Sequence, residues 1–227
     1  MRRGKIIVLE GADGTGKATQ KELLISFLTT KGIPHSSLDF PRYADSFFGA
    51  LAGRMLKGDF GQSKDIPAHL ATLPYACDRW LAKDELHQWL SEGKIIVINR
   101  YTASSAVYQA AKVPPAQQHD FVNWVYRMEY DIIGLPRENI TFYLHMPLEI
   151  SQQLLEKKGQ RTYLGDEKKD IYEKNTAMQE TVIQLYSEIA KRYPHWRVIE
   201  CAKDGSVRPS GEIQKDILDE LIRNKIL

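Results

Sequence analysis

Short apolar runs rich in β-branched residues alternate along this chain with longer stretches in which apolar residues recur at helical spacing. The short runs predict buried strands, and the longer stretches predict amphipathic helices that cover them. Strands are predicted at residues 5–10, 36–40, 94–100, 140–146 and 197–201. Helices are predicted at residues 18–31, 45–57, 66–90, 103–111, 117–130, 148–157, 171–192 and 213–225, the third with a bend near Pro74.

This alternation is typical of βαβ units, in which a crossover helix returns the chain to a parallel neighbouring strand. The fold class that we expect is α/β: a doubly wound, mostly parallel sheet of about five strands flanked by helices. The length of 227 residues fits a single domain over residues 1–227. One short stretch, residues 204–211, resembles a linker.

The composition argues against several classes of partner. Hydrophobic residues make up 43% of the chain and charged residues 26%, and the formal net charge is +2. This balance predicts neither a nucleic-acid surface nor a membrane surface. Cys77 and Cys201 lack metal-ligand spacing, so free thiols in a reducing compartment are expected. The apolar run after the basic first residues is too short for a secretion signal, which indicates a cytoplasmic protein, with the nucleus or an organelle as open alternatives.

The most informative motif is Gly-Ala-Asp-Gly-Thr-Gly-Lys at residues 11–17, directly after the first predicted strand and before the first predicted helix. Glycines let backbone N–H groups converge on phosphate oxygens, the helix N-terminus adds its dipole, and Lys17 supplies a mobile positive charge. An incidental glycine-rich turn would need the glycines, the lysine and both flanking elements to coincide. The motif therefore predicts a site for nucleotide phosphates.

The residue after this lysine is Ala18, where such loops commonly place a Ser or Thr hydroxyl for magnesium. A metal would have to be held by nucleotide phosphates, water and another carboxylate. Asp13 is either a turn-forming residue or a ligand for magnesium or a sugar hydroxyl. Thr19 is expected to cap or pack the first helical turn.

Four further stretches fall at the ends of predicted strands or on the helices that face them, where ligands bind in open α/β sheets. They are Asp-Phe-Pro-Arg-Tyr at 39–43, Cys-Asp-Arg-Trp at 77–80, Asn-Arg-Tyr-Thr-Ala-Ser-Ser at 99–105 with Tyr108, and a basic loop at 157–161 that leads to Asp-Ile-Tyr-Glu at 170–173. Together with the phosphate loop, and in this order, they closely resemble the thymidylate kinase family over nearly the whole chain.

The resemblance implies a P-loop kinase fold that transfers the γ-phosphoryl group of ATP to thymidine monophosphate (dTMP), a step in dTDP biosynthesis. The ATP-binding residues that it implies are Gly11, Ala12, Asp13, Gly14, Thr15, Gly16, Lys17, Ala18 and Thr19. The dTMP-binding residues that it implies are Asp13, Phe40, Arg42, Tyr43, Arg79, Arg100, Ser104, Ser105, Tyr108 and Tyr172.

Several of these residues take individual roles by resemblance. Phe40 would offer an aromatic face to the pyrimidine, and Arg42 a forked donor to the monophosphate. Arg79 would bond a thymine carbonyl, with the two serines near the base edge, and Tyr108 would crowd the sugar and favour deoxyribose. Arg100 would reach between the two phosphate groups. Taken singly, each residue has an ordinary alternative as a core residue or a paired surface charge.

Residues 158–169 are implied to form a small basic lid within the domain. In this family the catalytic arginine sits in the phosphate loop or in the lid, and because position 14 is a glycine, the lid must supply it. Arg161 is the only arginine in that segment and would take this role, with Lys157 and Lys158 as helpers. The catalytic residues implied are Lys17, Arg100, Arg161 and Asp13. The lid is followed by an acidic motif, which would also complement a helix dipole: Asp170, Tyr172 and Glu173.

Magnesium is the implied cofactor, with Asp13 and Glu173 as its candidate ligands. The chain departs from the family pattern at two positions, since Asn99 replaces the usual aspartate of an Asp-Arg-Tyr motif and Ala18 lacks a hydroxyl. Phosphoryl transfer relies mainly on positioning and charge, so we expect altered metal affinity rather than loss of activity.

Two alternatives to a dTMP kinase stay open. One is a related kinase for another pyrimidine nucleotide or a deoxynucleoside, and the other is a nucleotide-binding protein with weakened catalysis, suggested by Ala18 and Asn99. The resemblance also implies a homodimer, for which the predicted helices at 66–90 and 117–130 offer apolar faces, although such faces are more often core.

Overall fold

A five-stranded parallel sheet forms the centre of the protein in the computed structural model, which describes residues 3–156, 171–172 and 175–227. The strands are β1 (Lys5–Glu10), β2 (His35–Asp39), β3 (Ile95–Asn99), β4 (Ile140–His145) and β5 (Trp196–Glu200). They lie in the order β2-β3-β1-β4-β5, and every pairing is parallel. The predicted doubly wound α/β fold is confirmed.

Helices cover both faces of the sheet. They are α1 (Lys17–Thr30), α2 (Phe47–Lys57), α3 (Ala68–Leu81), α4 (Lys83–Ser91), α5 (Thr102–Ala110), α6 (Pro115–Tyr126), α7 (Leu148–Glu156), α8 (Thr176–Arg192) and α9 (Ser210–Arg223). A π-helical segment, Arg127–Ile133, continues α6. Among the described residues, no helix combines the length and the hydropathy that a membrane span requires.

Strand β1 is buried on both faces, which explains its uninterrupted apolar run. Ile7 and Leu9 pack with α1 and α9 on one side of the sheet. Ile6 and Val8 pack with α4 and the π-helical segment on the other side. All four side chains are at most 1% exposed, so β1 is a fixed base for the loop that follows it.

The chain passes from β1 to β2 and β3 on one side of the sheet and then crosses to β4 on the other side. In open parallel sheets such a reversal of direction leaves a crevice at the carboxyl ends of the strands. The phosphate loop follows β1 directly, and the segments after β2 and β3 end at the same edge. The topology therefore brings together the motifs that the sequence singled out.

The prediction of a single helix over residues 66–90, bent near Pro74, is wrong. Pro74 lies inside α3, and the break comes at Ala82 between α3 and α4. The N–H of Ala82 bonds to the carbonyl of Arg79 at 3.0 Å, which tightens the last turn of α3. Asp84 and Glu85 then favour the start of a new helix because negative charge complements its N-terminus.

Two further boundaries differ from the prediction. Helix α8 begins at Thr176 rather than at residue 171, because Asn175 caps it by accepting a hydrogen bond from the N–H of Met178 at 3.1 Å. The stretch at 204–211 is not a linker, since it contains part of a hairpin of β6 (Ala202–Lys203) and β7 (Ser206–Val207). Asp204 and Gly205 both have positive φ, as an Asp-Gly hairpin turn requires.

Candidate active site

A cavity of about 290 Å³ opens at the carboxyl edge of the sheet. Its walls include most of the site residues predicted from the sequence: Asp13, Gly14, Thr15, Gly16, Lys17, Ala18, Phe40, Tyr43, Arg79, Arg100, Ser104, Ser105, Tyr108 and Tyr172. Four other predicted residues do not line it: Gly11, Ala12, Thr19 and Arg42.

The phosphate loop is packed so tightly that a side chain at Gly14 would not fit. Gly14 has φ +81°, and a Cβ there would lie 2.4 Å from the backbone oxygen of Ser151 on α7. Gly16, also with positive φ, is the residue from which α1 begins. The loop therefore has no room for an arginine at position 14 unless α7 moves.

Lys17 is held against the loop's own carbonyl groups. Its Nζ donates to the oxygens of Gly11 at 2.9 Å and Ala12 at 2.6 Å, and the side chain is almost fully buried. Gly11 and Ala12 therefore position the Lys17 ammonium group through their carbonyl oxygens, although they do not line the cavity themselves. The ammonium group lies beside the N-terminus of α1, where backbone N–H groups and the helix dipole favour an anion.

Arg100 joins the phosphate loop to the segment after β3. Its Nη2 donates to Oδ1 of Asp13, and its Nη1 lies 3.3 Å from Oγ of Ser104. The hydroxyl of Tyr108 donates to Oδ2 of Asp13 at 2.7 Å, so both carboxylate oxygens of Asp13 are engaged. Burial alone would lower the pKa of Arg100, but Asp13 and the neighbouring groups Tyr108, Tyr186 and Glu10 hold it well above its ordinary value. The guanidinium is thus a fixed positive charge.

A buried carboxylate beneath the cavity holds this turn in place. Glu10, at the end of β1, is fully buried and accepts hydrogen bonds from the N–H of Tyr101 at 2.7 Å and from Oγ of Ser104 at 2.6 Å. The hydroxyl of Tyr186 on α8 also donates to it, at 2.8 Å. Arg100 has φ +64°, which is unusual for a residue with a side chain. The hydrogen bonds to Glu10 fix Tyr101 and Ser104, which follow Arg100 in the chain.

The opposite end of the cavity is lined by aromatic rings and by a buried arginine. Phe40 and Tyr75 lie in the wall, and the guanidinium of Arg79 sits 6.0 Å from the Phe40 ring centre. Arg79 donates to both carboxylate oxygens of Glu129, at 2.5 and 2.6 Å, and to Oγ of Ser105 at 2.6 Å. This end therefore offers flat apolar surface and oriented hydrogen-bonding groups, which suit a planar base.

Arg42 is paired with Asp78 on α3 and does not line the cavity. The fully buried carboxylate of Asp78 accepts from the backbone N–H of Arg42 at 2.8 Å and from its Nε at 2.9 Å. The carbonyl of Asp78 accepts from Nη2 at 2.7 Å. These bonds fix the turn that carries Phe40 and Tyr43 into the wall. Contact between Arg42 and an acceptor phosphate stays a prediction.

Tyr172 reaches the cavity beside α5. Its hydroxyl accepts a hydrogen bond from Nε2 of Gln109 at 2.8 Å, and Gln109 is fully buried and lines the cavity. Within the part of the chain that the structure describes, Oε1 of Gln109 has no hydrogen-bond partner. The remaining predicted residues of the lid region lie outside the described residues: Lys157, Lys158, Arg161, Asp170 and Glu173.

The cavity offers oxygen ligands of the type that magnesium prefers, but among the described residues they do not form a complete coordination site. In the described ranges, no group of three or more His, Cys, Asp or Glu side chains could hold a metal ion. Two carboxylates, Asp13 and Asp39, line the cavity. A hydrated ion held by nucleotide phosphates fits such a site, because magnesium keeps several waters and takes few protein ligands.

Asn99 is bonded to one of these carboxylates. Its Nδ2 donates to Oδ1 of Asp39 at 2.7 Å, and Nζ of Lys21 on α1 forms an ion pair with Oδ2. Residues 39 and 99 are neighbours in the β2–β3 register. An aspartate at position 99 would place two carboxylates side by side. The amide of Asn99 instead donates a hydrogen bond to the carboxylate of Asp39.

Sequence reasoning missed four residues that shape the site, Glu10, Tyr75, Gln109 and Glu129, and it gave no role to Asp39 within the stretch at 39–43. Tyr75 precedes Arg79 by four residues on α3, and this spacing places both on one helix face. Glu10 and Asp39 are polar residues at strand ends, which is also a readable signal. Glu129 is 50 residues from Arg79, and no local pattern could have linked the two.

We expect Asn99→Asp to destabilise the fold at neutral pH, by about 1 kcal/mol, since it replaces a hydrogen bond with two facing negative charges at a half-exposed position. Denaturant unfolding at neutral pH measures this. The double variant Asn99→Asp with Asp39→Asn exchanges the amide and the carboxylate, and it should recover part of the lost stability. An Asn99→Asp variant as stable as the parent protein at neutral pH would contradict the role given to the Asn99–Asp39 hydrogen bond.

Known proteins with similar sequences agree on one family. The family profile described as Thymidylate kinase matches residues 9–209. The thymidylate kinase of Mycobacterium tuberculosis is 29% identical over 185 residues, covering 82% of this chain and 85% of that protein. Those of Homo sapiens and Dictyostelium discoideum are 26% and 30% identical, covering 89% and 83% of this chain and 84% and 74% of those proteins.

The fold agrees as well. The structure of the thymidylate kinase of Candida albicans is similar with a TM-score of 0.74, at 22% identity, over 99% of this chain and 93% of that one. At this identity the likeness shows the fold alone. Because the family profile spans most of the sequence, from the end of β1 to the start of α9, the chain belongs to the thymidylate kinase family.

Proposed function

We propose that this protein transfers the γ-phosphoryl group of ATP to dTMP and releases dTDP. The observation that carries the proposal is the two-ended cavity. The phosphate loop with Lys17 forms one end, Arg79 with its aromatic neighbours forms the other, and Arg100 lies by the phosphate loop. A cavity of this form can hold a phosphate donor and a pyrimidine monophosphate at once.

The phosphate end of the cavity supplies positive charge to the phosphates rather than a side chain that removes a proton. The loop amides and Lys17 would hold the ATP phosphates, and Arg100 would face the acceptor phosphate, where negative charge builds during transfer. Because Asp13 and Tyr108 fix Arg100 beforehand, little reorganisation accompanies the reaction. A phosphate acceptor is already anionic at neutral pH, so no residue needs to remove a proton.

The base end supports a planar pyrimidine. Phe40 and Tyr75 provide apolar contact, while Arg79 and Ser105 provide donors. Gln109 adds a buried acceptor, Oε1, that lacks a protein partner among the described residues. A base N–H that reached this oxygen would relieve the cost of an unsatisfied buried group.

Magnesium is proposed as the cofactor that arrives with ATP. Asp13 and Asp39 would hold it through its water shell, and Glu173 stays a candidate outside the described residues. When bound, the ion neutralises phosphate charge. Direct contact between the ion and Asp13 would have to share a carboxylate that Arg100 and Tyr108 already engage.

An ADP-release assay with dTMP, dUMP, dCMP and thymidine as acceptors tests the function. We expect turnover with dTMP, because the cavity has one end for an acceptor phosphate and one for a base. Thymidine lacks the phosphate and should not be turned over. Turnover of thymidine but not dTMP would overturn the proposal. Nucleotide binding without turnover at any magnesium or manganese concentration would favour a nucleotide-binding protein that has lost catalysis.

Arg161→Ala tests the proposed arginine of the lid. Gly14 leaves no space for an arginine in the phosphate loop, so the transition state should depend on the lid arginine. We expect kcat to fall on the order of a hundredfold or more, as it does when an arginine finger is removed. Arg54→Ala removes an exposed arginine paired with Asp59 and serves as the control. An unchanged kcat for Arg161→Ala would assign the role to another basic residue.

A homodimer is proposed from the surface of α3, and the cytoplasm is proposed as its location because Cys77 and Cys201 are free thiols. Exposed apolar side chains recur along this helix at positions 70, 73, 80 and 81, and Trp124 on α6 is also exposed. The spacing places the four α3 residues along one face. Sedimentation should give twice the chain mass of 26.0 kDa, and Leu73→Glu should shift the protein to the monomer. A monomeric parent at micromolar concentration would contradict the proposal.

A further inference from the structure

Arg79 and Glu129 form a buried ion pair at the base end of the cavity. Arg79 is 1% exposed and Glu129 is fully buried. Nε of Arg79 donates to Oε2 at 2.5 Å, and Nη2 donates to Oε1 at 2.6 Å. A two-pronged pair of this kind fixes the plane of the guanidinium as well as its position.

The carboxylate comes from an unusual place in the fold. Glu129 lies in the π-helical segment Arg127–Ile133, and such segments often occur at functional sites. Oε2 of Glu129 also accepts from Oγ1 of Thr102 at 3.2 Å, which ties the pair to the first turn of α5. Glu129 therefore joins α3, α5 and the π-helical segment behind the cavity wall.

The ion pair with Glu129 determines which N–H groups of Arg79 can donate to a ligand. With Nε and Nη2 engaged, Nη1 is the remaining donor nitrogen, and no partner for it occurs among the residues that the structure describes. Burial alone would lower the pKa of Arg79, but Glu129 raises it, so the guanidinium stays protonated. The charge is nearly neutralised by Glu129, and this end of the cavity bonds neutral groups rather than phosphate.

Ser105 is oriented by the same arrangement. Its Oγ accepts from Nη2 of Arg79 at 2.6 Å, so its own hydrogen must point elsewhere. In the described part of the chain, no protein acceptor receives that hydrogen, and Ser105 lines the cavity. Arg79 and Ser105 together present donors to a base.

We propose that Glu129 is a positioning residue that sets this donor pattern and thereby selects a pyrimidine with a carbonyl group at C4 over one with an amino group. The inference rests on the proposed function, and it places the base edge remote from the sugar against Arg79. A carbonyl oxygen accepts both donors. The amino group of cytosine would face them with its own hydrogens and leave buried donors unpaired, which sites of this kind reject strongly.

Two substitutions of Glu129 test the proposal. Glu129→Asp keeps the charge but shortens the side chain by one methylene, and Glu129→Gln keeps the size but removes the charge. For Glu129→Asp we expect KM for dTMP to rise by about tenfold, with kcat within about threefold of the parent and KM for ATP unchanged. The ratio of kcat/KM for dTMP to that for dCMP should fall by about tenfold. Glu129→Gln should show the same pattern more strongly.

A matched control separates positioning from folding. Glu138 is another carboxylate near the π-helical segment, with a side chain that is 8% exposed. It accepts a hydrogen bond from the hydroxyl of Tyr130 at 2.6 Å and does not line the cavity. Glu138→Gln should leave the dTMP-to-dCMP ratio unchanged. If circular dichroism shows that Glu129→Gln has lost its fold, the kinetics of Glu129→Asp test the proposal instead, since that variant retains the negative charge.

Some outcomes would overturn the assignment. One is a folded Glu129→Asp variant whose KM for dTMP and whose dTMP-to-dCMP ratio stay within about twofold of the parent. Another is an equal rise in KM for ATP and for dTMP, because that would indicate a general structural loss. Absence of dTMP turnover in the unmodified protein would overturn the proposed function itself, and it is seen before any variant is made.

Discussion

The site depends on the buried carboxylate of Glu10, where the central strand ends. It accepts hydrogen bonds from the backbone of Tyr101 and Ser104, from the Ser104 hydroxyl and from Tyr186. These donors come from the segment after β3, from α5 and from α8, so one side chain fixes three elements against β1. A carboxylate left in the core without such partners would cost several kcal/mol, so the charge requires this arrangement. The position of Arg100 at the phosphate end follows from it.

Ion pairs between arginines and carboxylates occur at both ends of this cavity. Arg100 is paired with Asp13 by the phosphate loop, and Arg79 with Glu129 at the base end. Buried charges of this type rarely add much stability over apolar packing, but they fix geometry, because a wrong partner leaves a charge unpaired. Arg42 is paired with Asp78 in the same way, beside the cavity wall. A wall built from paired arginines is oriented before any ligand binds, and this is what a kinase that acts by positioning requires.

The sequence was sufficient for the sheet and for much of the cavity wall. Apolar runs located each strand boundary to within one residue, and the loop at 11–17 follows β1 and ends at Lys17, the first residue of α1. Sequence failed where a long-range contact decides the outcome. The division of α3 from α4 at Ala82 and the choice of Glu129 as the partner of Arg79 depend on tertiary packing that no local spacing records. The hairpin at Asp204–Gly205 was readable, since Asp-Gly is a strong turn signal, although the stretch was interpreted as a linker.

The central claim is that one cavity holds a phosphate donor and a pyrimidine monophosphate in fixed directions. A crystal structure with dTMP and a non-hydrolysable ATP analogue tests it most directly. The account predicts the thymine carbonyl within hydrogen-bonding distance of Arg79 and Ser105, the dTMP phosphate beside Arg100, and the analogue's phosphates on residues 11–17. A base placed against the phosphate loop, or an Arg79 that contacts no ligand atom, would contradict it.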